Sequence, residues 1–280
     1  MTYEEFNEWI TNDRDFIHIH ERHMDIGGGK LNLDDIDQLR QYENIDKVMI
    51  SGLHQDSFEY FIHHYGKRIK YLKFFKNKMI EDLSGLSGLE NLAYIDFFSN
   101  QRVTKLWDMS RNVRLEGICL EDFTRLHSLS GVQTAPALKH IRFGDKIWAS
   151  STLADLDPLI GTKISSFSFN GKSIDKNDIF VYEKIPTLQY LDFPTNLYTT
   201  EQLAQIIARS PHLQGYALKP FIKFERNTMR LKDVLICGKR KPFLSSDKDA
   251  EKIRKYTEKF NMLVDHYKGE SVAGNEKVMD

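Results

Sequence analysis

The densest group of chemistry-bearing residues is His18-Ile19-His20-Glu21-Arg22-His23. In an extended segment alternate side chains share a face, so His18 and His20 would present two imidazoles together, with His23 as a third ligand for a divalent metal. That set defines one candidate role, a histidine-based metal-binding protein or metal-dependent enzyme. The neighbouring motifs are weaker. Gly27-Gly28-Gly29-Lys30 is followed by Leu31 where a nucleotide-binding loop needs Ser or Thr, and Met24 stands where it needs Gly. Ser150 and Ser151, near Asp155 and Asp157, show no spacing that pairs a nucleophile with a base. Asp34, Asp35 and Asp37 lack the terminal Glu of a calcium loop. His63 and His64 are adjacent in a helical pattern and read as surface residues. Cys119 and Cys237 stand far apart, which excludes a disulfide scaffold and a thiolate zinc cluster and fits a reducing compartment. Cys119 falls on the outward side of its strand and is expected to be open to solvent. With no cofactor motif and no nucleophile–base pair, a non-enzyme without a cofactor is expected.

Charge narrows the partners. The net charge is −1, with charged residues at 28% and apolar residues at 41%, the balance of a globular chain rather than a disordered one. Residues 219–268 carry 14 Lys or Arg against 7 acids, densest at Lys239-Arg240-Lys241. Nucleic-acid contact through this basic region is therefore a further alternative. No window reaches the roughly 18 apolar residues of a spanning helix. The opening Met1-Thr2-Tyr3-Glu4-Glu5 has no basic or apolar leader, so a cytoplasmic protein with no membrane partner is expected.

The elements that must position these residues follow a repeat. An apolar residue, a second three later and a third two beyond recur as Ile45-Val48-Ile50, Ile69-Leu72-Phe74, Leu92-Ile95-Phe97 and Leu115-Ile118-Leu120. The pattern continues as Leu138-Ile141-Phe143, Ile164-Phe167-Phe169, Leu188-Leu191-Phe193 and Leu213-Tyr216-Leu218, at intervals of 23 to 26 residues. A shorter step of 18 reaches Leu231-Val234-Ile236. Asn77, Asn100 and Asn196 follow three of the copies at the same offset, and Ile80-Leu83-Leu86-Leu89 and Val103-Leu106-Met109 supply a second apolar series.

This spacing resembles the leucine-rich repeat, in its short, internalin-like bacterial form. The resemblance implies an α/β solenoid with a parallel concave β-sheet, short helices on the convex side and helical caps at both ends. It also implies a recognition scaffold. The expected organisation is a cap over 1–43, a solenoid over 44–238 and a basic helical cap with a tail over 239–280. In the first cap, Thr2 and Glu5 make a capping box for a helix to about Thr11, Ile17-His18-Ile19 reads as a strand, and Asp34 to Tyr42 reads as a helix. In the last, Ser245-Ser246-Asp247 opens a helix lined by Ile253, Tyr256, Phe260, Leu263, Val264 and Tyr267, with Gly269 as its stop.

Residues between the inward apolar positions point out of the sheet and stack into columns. Tyr71, Tyr94, His140 and Tyr190 form one; Lys73, Asp96, Arg142 and Asp192 form a second; Phe75, Phe98 and Glu121 begin a third. Aromatics mixed with charges of both signs have the composition of a protein interface. The expectation is a scaffold binding a protein or peptide on this face.

Overall fold

Two inward apolar positions per strand, alternating with polar or aromatic ones, make a sheet that buries one face. The protein, described here by a computed structural model, is resolved over residues 1–21, 29–225 and 231–276, with side chains to residue 269. It divides into two compact units, Met1–Asn177 and Asp178–Asp280, a boundary inside the expected 44–238 span.

In the first unit the elements in order are α1 (Tyr3–Thr11), β1 (Ile17–Ile19), α2 (Leu33–Asp37), β2 (Lys47–Ser51), α3 (Gln55–Tyr65), β3 (Tyr71–Phe75), β4 (Tyr94–Asn100), β5 (Gly117–Phe123), β6 (His140–Gly144), β7 (Thr152–Leu153), β8 (Ser166–Asn170) and β9 (Ser173–Ile174). Strands β1, β2, β3, β4, β5, β6 and β8 follow one another in one sheet, and every pairing is parallel. The register aligns Val48, Leu72, Ile95, Ile118, Ile141 and Phe167 in one row and Ile50, Phe74, Phe97, Leu120, Phe143 and Phe169 in the next. Both rows are buried. β7 and β9 pair as a separate parallel ribbon.

At the ends of β2, β3, β4 and β5 a left-handed residue stands at a constant place in the repeat: Gly52 (φ 73°), Lys76 (φ 56°), Ser99 (φ 66°) and Asp122 (φ 58°). That conformation disfavours L side chains, and it turns the next residue inward. Asn77 there accepts from Leu53 N at 2.7 Å and donates to Ile50 O at 2.8 Å. Asn100 donates to Asn77 O and Ile80 O and accepts from the N–H of Arg102 and Val103. Asn196, by contrast, is exposed. The return segments hold little helix. α3 follows β2, but single 3₁₀ turns serve at Ser84–Gly88, Val132–Thr134 and Asp157–Leu159.

The second unit contains β10 (Tyr190–Asp192), α4 (Thr200–Arg209), β11 (Phe221–Lys223), β12 (Val234–Ile236), β13 (Phe243–Leu244) and α5 (Ala250–Glu276). Two expected repeat copies are corrected here. Leu213-Tyr216-Leu218 forms no strand: pairing with β10 stops after one bridge, Tyr190 to Gln214. The Tyr216 N–H donates to Asp192 Oδ1 at 2.7 Å rather than to a ladder carbonyl. Leu231-Val234-Ile236 contributes β12, which pairs antiparallel with β11 and β13. Its connections are of hairpin length, too short for the crossover a parallel neighbour needs, and Leu231 is 79% exposed.

α5 begins later than expected because the Ser246 N–H and hydroxyl bond to Asp233 instead of opening the helix. It also runs through Gly269, which an exposed helix tolerates at a cost of about 1 kcal/mol. The expected apolar stripe from Ile253 to Tyr267 is its half-buried to buried side. Thr199 and Gln202 cap α4 reciprocally.

Candidate interaction surface

The face of the first unit's sheet opposite its core carries the side chains singled out by the repeat. Register pairs Tyr71 with Tyr94, Lys73 with Asp96 and Phe75 with Phe98, and continues to Gly117, Cys119 and Glu121, then to His140, Arg142 and Gly144. Tyr71 and Tyr94 stack at 5.8 Å with 5° between planes, and Phe75 stacks on Phe98 at 5.5 Å. Tyr190 and Asp192 lie in the second unit, each partly buried.

The columns were expected to be open. Within the first unit the first two are covered by α1, whose Phe6, Trp9 and Ile10 form the apolar side that the capping box at Thr2 and Glu5 starts. The Phe6 ring lies 5.2 Å from His140 and 6.1 Å from Tyr94, and Trp9 lies 5.6 Å from Tyr94. Gly117 makes this approach possible, since a Cβ there would come within 2.6 Å of both Phe6 and Tyr94. Lys73 Nζ donates to the carbonyls of Trp9, Ile10 and Asn12 at 2.8, 3.0 and 2.9 Å, a cation at the negative end of a helix. It also sits 5.1 Å from the Trp9 and Phe16 rings. His140 Nε2 lies 3.0 Å from Met1 O, and its Nδ1 lies 2.8 Å from Ser166 Oγ. Arg142 donates to Glu121 Oε1 at 2.8 Å and to Asn7 Oδ1 at 3.3 Å.

As a result Lys73, Tyr94, Asp96, Glu121, His140 and Cys119 are buried. Burial pushes the Cys119 thiol well above its usual range, so the expectation of an open cysteine is corrected. Burial likewise lowers Lys73 and His140, and it raises the Tyr94 hydroxyl, which donates to Glu116. Burial pushes the Asp96 carboxyl up to about 6, the Lys73 ammonium pulling it down and the Glu121 carboxylate pushing it further up. The apolar stripe of α1 is legible in the sequence. Its seat on the sheet is not, because nothing local links residue 6 to residues 94 and 140.

Of the third column, Glu121 is buried and the Phe75 and Phe98 pair stays accessible. Phe75 and Phe98 are partly exposed, with Lys76 Nζ and Lys146 Nζ 5.0 and 4.9 Å from their ring centres. Beside Phe98 opens a cavity of about 380 Å³ whose lining includes Phe123, Ile147 and Trp148. Ile147 is 74% and Trp148 84% exposed, two large apolar side chains that the repeat pattern passes over. An Ile-Trp pair in a loop between two strands was the available signal.

His18 and His20 do share a side, but they bond to each other. His18 Nδ1 lies 3.2 Å from His20 Nε2, His18 Nε2 lies 3.0 Å from Asp13 O, and His20 Nδ1 lies 3.2 Å from Ser51 Oγ, which engages all four ring nitrogens. Ser51 also donates to Glu21. His23, Gly27 and Gly28 fall outside the described residues, among which no group of three metal-ligating side chains occurs. On α5, Arg254 pairs with Glu251 and Glu258, and Lys252 pairs with Asp249. No described helix is long and apolar enough to cross a membrane. Neither the protein-family models nor the curated protein sequences contain a match to this chain.

Proposed function

We propose that the chain is a non-catalytic recognition scaffold of the leucine-rich-repeat kind, binding a protein or peptide on the face of its parallel sheet opposite the core. The observation that carries this reading is that face itself: register-aligned aromatic and charged side chains that already grip a helix, continuous with an open edge at Phe75, Phe98 and Trp148. Repeated one-strand units with inward asparagines support the solenoid assignment. Lys76, Lys146, Asp122, Asp145 and Trp148 beside a stacked Phe pair suit a folded or peptide partner of mixed charge better than a polyanion. Two buried free thiols suit a reducing compartment such as the cytoplasm.

Affinity capture from native cell extract tests the proposal, with a Phe75→Ala/Phe98→Ala/Trp148→Ala variant as control. One dominant protein, held by the parent chain and lost by a variant of unchanged far-UV CD, is the expected result. Equal capture by both would sink the assignment of this edge.

A further inference from the structure

We infer that α1 is a displaceable occupant, and that the face beneath it receives a partner's amphipathic helix with aromatic side chains at i and i+3 and its last turn over Lys73. This deepens the recognition reading above and rests on it. The ground under α1 is the first reason. Lys73, Asp96, Glu121 and His140 are buried there beside Tyr94 and Cys119, a mixture of polar and aromatic groups unlike the rows of Val, Ile, Leu and Phe on the other side of the same strands. Of the nine residues of α1 only Phe6 is fully buried.

The grip on α1 is also partly indifferent to its sequence. Lys73 holds three main-chain carbonyls at the C-terminal end of α1, groups that the end of any helix offers, and His140 meets the Met1 carbonyl ahead of the helix. Side-chain demand comes from the Phe6 and Trp9 rings, seated over Gly117 and against Tyr94, from Ile10, and from Asn7, whose Oδ1 accepts from Arg142. The fit is incomplete as well. Trp9 Nε1 and Asp96 Oδ1 are buried without a hydrogen-bond partner among the described residues. Each such group carries a desolvation cost that leaving the interface relieves. A partner helix that offers a donor to Asp96 would relieve that cost, which α1 does not. Finally, a nine-residue helix is too short to persist in water by itself, so undocking α1 melts it and exchange takes the form of an order–disorder transition.

The test uses a fluorescein-labelled synthetic peptide of residues 1–16 as probe, against the full chain and against the full chain carrying Phe6→Ala and Trp9→Ala. The peptide is expected to bind the double variant at least about tenfold more tightly, because only the parent chain carries a tethered competitor. Adding Lys73→Met to the double variant is expected to abolish that binding. Equal affinity for parent and double variant, or no binding to a double variant of unchanged far-UV CD, overturns the inference.

Should the double variant fail to fold, hydrogen exchange on the parent chain decides. Amides of Phe6–Thr11 exchanging at least about a hundredfold faster than those of Ile95–Phe98 support displacement, and equal protection overturns it. The two readings fail separately. Peptide binding with no captured protein sinks the recognition reading and leaves the groove standing. Capture that depends on Phe75 and Phe98, with no peptide binding, does the reverse.

Discussion

At Asp96 burial and neighbouring charge pull against each other. Its carboxyl is pushed up to about 6 by desolvation, with Lys73, Lys146 and Cys119 favouring the ionised form and Glu121 opposing it. A carboxyl raised in the folded state holds a proton that the unfolded chain has already released, so its contribution to stability falls as pH rises through the interval from about 4 to 6. Asp96→Asn removes this titration. Relative to the parent, the Asn variant is expected to gain on the order of 2 kcal/mol between about pH 4.5 and pH 7.5. Urea midpoints of both proteins at the two pH values read this directly, and a constant difference would mean that Asp96 keeps an ordinary carboxyl. The residue type at position 96 was legible as part of a charged column. Its desolvation was not, since that comes from a helix more than eighty positions away in the chain.

At the scale of the element, the turn that follows β3 and the end of β4 is an asparagine device, built on Asn77 and Asn100. Asn100 satisfies two N–H groups and two carbonyls in a fully buried position. Asn100→Ala leaves those main-chain groups unpaired and is expected to cost about 3 kcal/mol or more. Asn196→Ala, exposed after β10, is expected to change stability by less than about 0.5 kcal/mol. Denaturant unfolding followed by CD compares the two, and similar losses would argue against the inward-asparagine account. The spacing pointed to Asn77 and Asn100 correctly because they follow copies that build long parallel strands. It misplaced Asn196 because identical spacing there follows a three-residue strand whose pairing soon ends. The left-handed residues Lys76, Ser99 and Asp122 had no composition signal, since none is glycine.

Across the whole molecule, part of the uneven positive charge is paired along α5. The Arg254 and Lys252 pairs on α5 leave the basic region less able to neutralise phosphates than its count of cations suggests. A random-sequence DNA duplex is therefore expected to show no retention by the full chain at about 150 mM salt. Binding that weakens steeply with added salt would restore the nucleic-acid reading.

Period and alternation by themselves determined a parallel sheet, its register and the two apolar rows of its core, because side-chain direction in a strand depends only on position within the repeat. The capping box determined α1 in the same local way. Tertiary structure alone decided where α1 lies, and with it whether Tyr94, Lys73, Asp96 and His140 meet water. It also decided where the repeat ends, since a triplet such as Leu231-Val234-Ile236 follows the rule of spacing yet pairs antiparallel with β11 and β13. Both decisions rest on which distant surfaces come to cover one another, and a local pattern carries no record of that.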